Sequence, residues 1–275
     1  MGLFDLFKPK WKHSNPEIRK TAVDELTDQT ALMEVVKNEE DQEIRKSAAR
    51  KLTDQAVLTG LAKNENQDVS VRRIAINKLT DQSVLAYLVK NSKFIYVQTE
   101  AEFRLAEVYV TELPDQASLM NAAENHENRM IRAEAVKKIK NHAHLVKIVK
   151  NTSEDCSVRC AAVDKLTDLD HSFLESLAAN DKCSSVRESA VRKLTDQVIL
   201  AGLAQNDHDW TVRAAATRKL SDQTILECVV GDDTDTYVRI EAIKKILNKV
   251  LLLQVLNNDR DPQVRQAAEY RLSEI

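Results

Sequence analysis

One pattern recurs along the whole chain, and this repetition constrains the fold more than any other feature. A capping Asp or Asn, then Val-Arg or Ile-Arg, then alanines and a leucine return at spacings that are mostly 26–28 residues. A fixed period of this size is typical of stacked supersecondary units and not of one closed globule. The arginines that mark the copies are Arg19, Arg45, Arg72, Arg132, Arg159, Arg187, Arg213, Arg239 and Arg265.

Each copy reads as two short helices. Asp41 is placed to cap the first of them, here called helix B, because its carboxylate can accept hydrogen bonds from the first turn. From Ile44 to Leu52 the apolar residues keep helical spacing along one side. Thr53 is then expected to end helix B and to cap the second helix, helix A. Helices of about ten residues are marginal alone, so neighbouring units must stack to bury their apolar sides.

The capping Asp, the Val-Arg pair and the following Ala and Leu resemble the HEAT-repeat family, in the short bacterial form that is also found in phycobilisome-lyase-like repeats. The resemblance covers residues 15–275. It implies an all-α, right-handed solenoid, or superhelix, of about ten two-helix repeats. It also implies that the B helices line the concave side and that this side holds a partner.

The recurring arginines are expected at the seams between repeats. At 100° per residue, Arg45 falls inside the apolar side of its helix B. Acidic residues stand six positions before several of these arginines. We therefore expect a ladder of arginine–carboxylate bonds between turns, the alternative being exposed arginines that grip phosphate. The predicted ladder consists of Arg45, Arg72, Arg132, Arg159, Arg187, Arg213, Arg239 and Arg265.

A second basic pattern lies at the end of helix B. In most units its next-to-last residue is basic, and in several the residue before it, which points away from the core, is basic too. A structural reading is interaction with the helix dipole and with the aspartate of the following Thr-Asp-Gln turn. The functional reading is a positive track for an acidic protein segment or a nucleic-acid backbone. The residues in question are Lys137, Lys138, Arg192, Lys193, Arg218, Lys219, Lys244 and Lys245.

The unit at about 95–127 departs from the pattern. Gln98 replaces the marker arginine, about eight extra residues precede Pro114, and half of the Phe and Tyr residues gather between Tyr87 and Tyr109. Phe103 occupies the outermost position of this lengthened helix B. It is either covered by the inserted turns or serves as a binding anchor.

Residues 1–14 do not form a full repeat. Apolar residues followed by lysines suggest a degenerate helix A, cut short by Pro9, that caps the open end of the stack. The alternative is contact of residues 1–12 with an anionic membrane surface.

Composition and motifs favour a protein without catalytic chemistry. The net charge of −3 indicates no obligate nucleic-acid or membrane partner. Phosphate loops, nucleophile elbows and zinc-binding His-Glu helices are missing from the sequence. By the resemblance, iron-binding enzymes of this kind carry repeated His-Glu pairs, and this chain has only His126-Glu127. A metal site at Cys156, Cys160 and Cys183 is the weaker alternative to ordinary core or surface residues. No cofactor is expected.

The sequence also bears on location. No apolar run approaches about 18 residues, so we expect no transmembrane helix. No signal peptide is visible, and the four cysteines are expected to be reduced thiols in a cytoplasm.

These features favour a cytoplasmic, non-enzymatic protein-interaction scaffold or adaptor. The predicted partner surface runs from Phe103 along the B-helix face towards Lys137, Arg192, Arg218 and Lys244, and would bind a protein with an acidic segment. One alternative is a nucleic-acid-binding, DNA-repair-like protein that uses the basic track. Another is a chromophore-lyase-like chaperone, which rests on fold analogy alone.

Overall fold

The structure, a computed structural model, describes residues 8–167 and 171–275. These residues form nineteen α-helices and one short 3-10 helix at Lys10–Lys12, and this part of the chain has no strand. The α-helices are α1 (Pro16–Glu25), α2 (Gln29–Asn38), α3 (Gln42–Lys51), α4 (Gln55–Lys63), α5 (Val69–Lys78), α6 (Gln82–Asn91), α7 (Ile95–Thr111), α8 (Gln116–Asn125), α9 (Arg129–Lys138), α10 (His142–Lys150), α11 (Cys156–Lys165), α12 (His171–Asn180), α13 (Ser184–Lys193), α14 (Gln197–Asn206), α15 (Trp210–Lys219), α16 (Gln223–Asp232), α17 (Thr236–Ile243), α18 (Lys249–Asn258) and α19 (Pro262–Glu274).

The odd-numbered helices are the B helices and the even-numbered ones are the A helices. The expected all-α solenoid of about ten short two-helix repeats is confirmed, and its architecture is HEAT-like. The last helix in the structure, α19, is a B helix. None of the described helices is both long enough and apolar enough to cross a membrane.

Aspartates set the starts of both kinds of helix. Asp41 caps α3 by accepting hydrogen bonds from the N–H groups of Glu43 and Ile44, as predicted. The start of helix A was assigned one residue too early. Asp54, and not Thr53, caps α4, because its carboxylate accepts from the N–H of Val57 in the first turn. The same role falls to Asp28, Asp81, Asp196 and Asp222.

The chain divides into two compact units, Met1–Ser118 and Leu119–Ile275. In each unit, consecutive B helices pack side by side in one row, and most B helices also pack on the A helix before them. Within Leu119–Ile275, neighbouring A helices touch much less than neighbouring B helices do. The B helices are therefore the closely packed inner row of that unit.

The apolar sides of both helices form the core of each unit. The leucine that ends helix B is fully buried in most repeats, as Leu52, Leu79 and Leu220 show with no exposed surface. Burial of such a side chain stabilises the fold by about 1.5–3 kcal/mol relative to its exposed state. This explains why the leucine before each Thr-Asp-Gln turn recurs.

Residues 8–14 contact the first repeat. Trp11 is partly buried against the core of Met1–Ser118, and Lys12 forms an ion pair with Glu34 of α2. The 3-10 helix packs on α1. Residues 1–7 lie outside the described residues, so the choice between a cap and a membrane contact for residues 1–12 stays a prediction.

Candidate partner-binding surface

The marker arginines lie at the seams between repeats. Arg187 donates from Nε and Nη2 to the carboxylate of Asp207, both at 2.8 Å, and from Nη1 to the backbone oxygen of Asp181 at 2.9 Å. It therefore ties the loop before its own helix to the loop before the next B helix. The hydrogen bonds to Asp207 raise the pKa of Arg187 against the opposing effect of its burial.

The carboxylate partner follows each arginine by 20 or 22 residues. The acid six residues before an arginine contributes its backbone oxygen instead, while its side chain holds the arginine of the preceding repeat. Asp181 shows both roles, since its carboxylate binds Arg159 and its carbonyl binds Arg187. The pairs of this arginine ladder are Arg19–Glu39, Arg132–Glu154, Arg159–Asp181, Arg187–Asp207, Arg213–Asp233 and Arg239–Asp259.

Three marker arginines depart from the expected carboxylate pairing. Arg45 donates to the carbonyls of Glu39 and Glu40 at 2.6 and 2.7 Å, and Arg265 donates to the carbonyl of Asp259 at 2.7 Å. In the described part of the chain, neither meets a carboxylate. The third, Arg72, belongs to the seam with the irregular repeat.

Aromatic side chains take the place of the carboxylate at that seam. Ser92 stands where the other repeats have the acid, and Arg72 donates instead to the hydroxyl of Tyr96 at 3.0 Å and to the carbonyl of Ala62 at 3.3 Å. The rings of Phe94 and Tyr96 lie 5.0 and 5.6 Å from its guanidinium carbon, which is cation–π distance. Arg72 as a whole is only 2% exposed. Arg72 is therefore a structural residue here too.

The second basic pattern has a structural origin that differs from the expected one. Lys193 and Lys245 donate from Nζ to the carbonyls of Asp164 and Arg218, at 3.0 and 2.7 Å, at the end of the preceding B helix. Lys219 reaches the carbonyl of Arg192 in the same way. These carbonyls have no partner within their own helix and favour a cation. The lysines bind them, and not the aspartate of the Thr-Asp-Gln turn, because the preceding helix end lies beside them.

This arrangement leaves one outward cation in each of the three consecutive basic pairs. Lys193, Lys219 and Lys245 are turned towards the stack, and burial lowers the pKa of Lys219 and Lys245. In these three repeats the predicted track therefore has one outward cation per repeat, where two were expected. Lys138 lies exposed at the end of α9, beside Lys137.

The outward cations lie at one register of the B helices in Leu119–Ile275. The side chains of Lys137, Arg192, Arg218 and Lys244 are 59%, 48%, 54% and 58% exposed. Each has an acidic neighbour within reach. The shortest distances are 2.7 Å for Lys137–Glu134, 2.8 Å for Arg192–Glu188, 3.8 Å for Arg218–Glu241 and 2.6 Å for Lys244–Glu241. The row is thus charged and polar, with alternating signs, and not a continuous positive strip.

Phe103 lies at the same register of α7, in Met1–Ser118. Its side chain is 52% exposed, so the inserted turns do not cover it. Ile95 is 78% exposed, and Thr99 between them is exposed as well. Residues four apart share one side of a helix, so Ile95, Thr99 and Phe103 form a partly apolar row along the outer side of α7.

A recurring glutamine whose side chain links neighbouring repeats was not predicted from the sequence. The side-chain amide of Gln55 donates to the carbonyl of Lys78 at 3.1 Å, and its oxygen accepts from the N–H of Thr80 at 3.0 Å. Gln29, Gln197 and Gln223 make the same pair of bonds to the next repeat. The signal was present, because Gln follows Thr-Asp or Ser-Asp in five copies of the turn before helix A.

The cysteines differ from the expected reduced state. A disulfide joins Cys156 and Cys183, whose Cα atoms are 6.3 Å apart, because stacking of α11 on α13 brings their N-terminal ends together. Cys160 and Cys228 are free, and burial raises the pKa of the Cys160 thiol. In the described ranges, no three potential metal ligands cluster.

Comparison with known proteins gives only distant similarities. No protein-family model and no curated protein sequence matches the chain. A chain in a structure of Kap95p bound to RanGDP is 13% identical with a TM-score of 0.43, and the match covers 89% of this chain but 41% of that one. Human deoxyhypusine hydroxylase is 15% identical (TM-score 0.31), covering 80% of this chain and 94% of that one. An archaeal HEAT-like repeats protein from Thermococcus onnurineus NA1 is 14% identical (TM-score 0.27), covering 90% and 96%.

Proposed function

We propose that this chain is a non-enzymatic scaffold that binds another protein on the solvent-facing sides of its B helices. The observation that carries the proposal is the row of half-exposed cations at one register of α9, α13, α15 and α17, namely Lys137, Arg192, Arg218 and Lys244. Their long side chains are exposed to solvent, whereas the arginines of the ladder are largely buried and hydrogen-bonded between repeats. A surface of this kind suits recognition more than catalysis.

The chemistry of the row favours a protein partner over nucleic acid. Each outward cation already has a carboxylate neighbour, and Asp164 of α11 lies 3.3 Å from Arg192. A nucleic-acid backbone needs several uncompensated cations, since its affinity comes from neutralised phosphates. A protein segment that is acidic overall, with cations of its own to meet Glu188 and Glu241, matches the alternating charges better.

Phe103 and Ile95 supply an apolar contact on α7 in the other unit. Exposed aromatic side chains are frequent anchors in protein interfaces. We propose that Phe103 contributes apolar contact, and that the cations contribute steering and orientation. A cytoplasmic location stays a prediction, and the Cys156–Cys183 disulfide is a feature more often found in oxidising compartments.

A capture experiment tests this proposal. The tagged wild-type protein and a triple variant, Arg192→Glu, Arg218→Glu and Lys244→Glu, are used to recover proteins from an extract of the source cells, with quantitative mass spectrometry. A matched variant reverses Lys147 and Lys150, which are exposed on helix A α10. We expect the B-helix variant to recover at least tenfold less of each specific partner than the wild-type protein does. The α10 variant should recover wild-type amounts. Equal recovery by all three proteins would refute the proposed surface.

A further inference from the structure

Two aromatic side chains are stacked and exposed at the N-terminal ends of neighbouring B helices. Trp210 begins α15, and Tyr237 lies in the first turn of α17. Their ring centroids are 5.6 Å apart with an angle of 29° between the planes, and they are 44% and 61% exposed. Exposed apolar patches on a folded protein often mark interaction sites.

The surroundings of this stacked pair are acidic. The loops that precede α15, α17 and α19 carry six aspartates, and Asp232 at the end of α16 is a seventh. Three of them, Asp207, Asp233 and Asp259, are held by the arginine ladder. The other four are Asp209, Asp232, Asp235 and Asp261. Against them stand Arg260, whose guanidinium donates to the carbonyl of Thr234, and Arg265. The local balance is negative.

Some of these acidic groups also line two surface depressions. Asp232 and Asp233 border one of about 200 Å³ together with Asn206. They also border one of about 420 Å³, together with Asp259 and Arg260. The first depression lies between the C-terminal parts of α14 and α16, and the second lies between the segments that lead into α17 and α19.

We propose that Trp210 and Tyr237 form a docking ledge for an arginine-bearing segment of a partner protein. A guanidinium is planar, stacks on aromatic faces and is attracted by their negative quadrupole, most strongly over an indole ring. The nearby carboxylates give complementary charge to such a side chain. The same carboxylates repel an anionic ligand.

The positive ends of α15 and α17 work against a cation at this place, so their effect must be offset. Asp209 and Asp235 provide this offset. Asp209 accepts from the N–H of Thr211 at 2.9 Å, and Asp235 accepts from the N–H of Tyr237 at 2.8 Å. Each helix end therefore carries a full negative charge beside its partial positive one.

The ledge is distinct from the outer row of cations. Trp210 and Arg218 lie at opposite ends of the same helix, about 12 Å apart along its axis at the usual rise of 1.5 Å per residue. The helices α15 and α17 each have an acidic and aromatic N-terminal end and basic residues at the C-terminal end. The proposed ledge is therefore independent of the proposed B-helix surface, and each can be tested without the other.

Tryptophan fluorescence tests the ledge. The chain has two tryptophans, so Trp11→Phe leaves Trp210 as the single reporter. This protein is titrated with an arginine-rich nonapeptide, with lysine-rich, glutamate-rich and proline-rich peptides of equal length, and with oligothymidine. We expect the arginine peptide to change the Trp210 emission and to bind at least threefold more tightly than the lysine peptide. We expect the glutamate peptide and oligothymidine to give no response.

Two variants separate the role of the ring from that of charge. In the same background, Tyr237→Ala should weaken arginine-peptide binding at least fivefold while leaving the melting temperature within about 2 °C, because the ring is mostly exposed. Asp232→Asn should weaken it about twofold and reduce its dependence on salt. Equal affinity for the arginine and lysine peptides, tighter binding of the proline peptide or of oligothymidine, or unchanged binding by Tyr237→Ala would overturn the proposal.

Discussion

At the scale of single residues, the stack is held by polar side chains that join each repeat to the next. Most of the marker arginines, together with several lysines at helix ends and glutamines of the turns, bind backbone or carboxylate groups of an adjacent repeat. The sequence showed that the arginines lie in the apolar side of helix B, because that follows from helical spacing. It did not show which acid each arginine binds, because that depends on how far one loop lies from the next.

The arginine ladder predicts a large effect of removing one member. Arg213→Ala removes the two hydrogen bonds that Asp233 accepts from Arg213, at 2.7 and 3.0 Å, in a site where both side chains are mostly buried. Breaking a buried pair in this way costs about 3–5 kcal/mol of unfolding free energy. Denaturant unfolding measures it. Arg218→Ala, on the exposed side of the same helix, is the control and should change stability by less than about 0.5 kcal/mol.

A pH dependence follows from the cap of α15. Hydrogen bonds from the hydroxyls of Thr211 and Ser184 and from the N–H of Thr211 lower the pKa of Asp209 to about 2. Because this folded-state pKa lies below the unfolded value of about 3.9, the ionised cap contributes fully above about pH 4 and its contribution is lost as pH falls towards 2.

The variant Asp209→Asn tests this dependence. Asparagine still caps a helix but does not titrate in this range, so the fall of melting temperature between pH 4 and pH 2 should become shallower. Asp232→Asn, at an exposed position outside the caps, is the matched control and should keep the wild-type slope. An unchanged slope for Asp209→Asn would contradict the account of this cap.

At the scale of elements, the irregular repeat shows what a repeat pattern predicts and what it omits. The loss of the marker arginine and the extra length predicted a longer helix B, and α7 has 17 residues. The sequence left open whether Phe103 is covered, because exposure depends on the path of the chain after α7. It also gave no sign that Arg72 is satisfied by Tyr96, since a tyrosine hydroxyl replaces the usual carboxylate there.

The exposure of Phe103 predicts that its truncation is tolerated. Phe103→Ala should lower the unfolding free energy by less than about 1 kcal/mol, because little of the ring is lost from the core. Leu85→Ala in the neighbouring α6, where the side chain is fully buried, is the control and should cost about 2–5 kcal/mol. A loss of about 3–5 kcal/mol for Phe103→Ala in a denaturant melt would show that the ring belongs to the core.

At the scale of the whole molecule, the chain is a series of short repeats, and within each of the two compact units neighbouring repeats contact each other. The fold could be predicted from the sequence because every copy repeats the same local signals of cap, marker arginine and final leucine. The candidate surface was predicted less well. The basic residues were identified, but the lysines beside Arg192, Arg218 and Lys244 turned out to bind helix ends, which only the packing of successive B helices reveals.

Lysine labelling in a cell extract tests most directly whether the outer B-helix row binds a partner. The tagged protein is labelled with an amine-reactive reagent in buffer and in extract of the source cells, then recovered and mapped by mass spectrometry. Lys137 and Lys244 of the row are 59% and 58% exposed, and Lys147 of helix A α10 is 71% exposed. The account predicts that Lys137 and Lys244 lose at least half of their labelling in extract while Lys147 keeps it. Protection of Lys147 with unchanged labelling of Lys137 and Lys244 would contradict it.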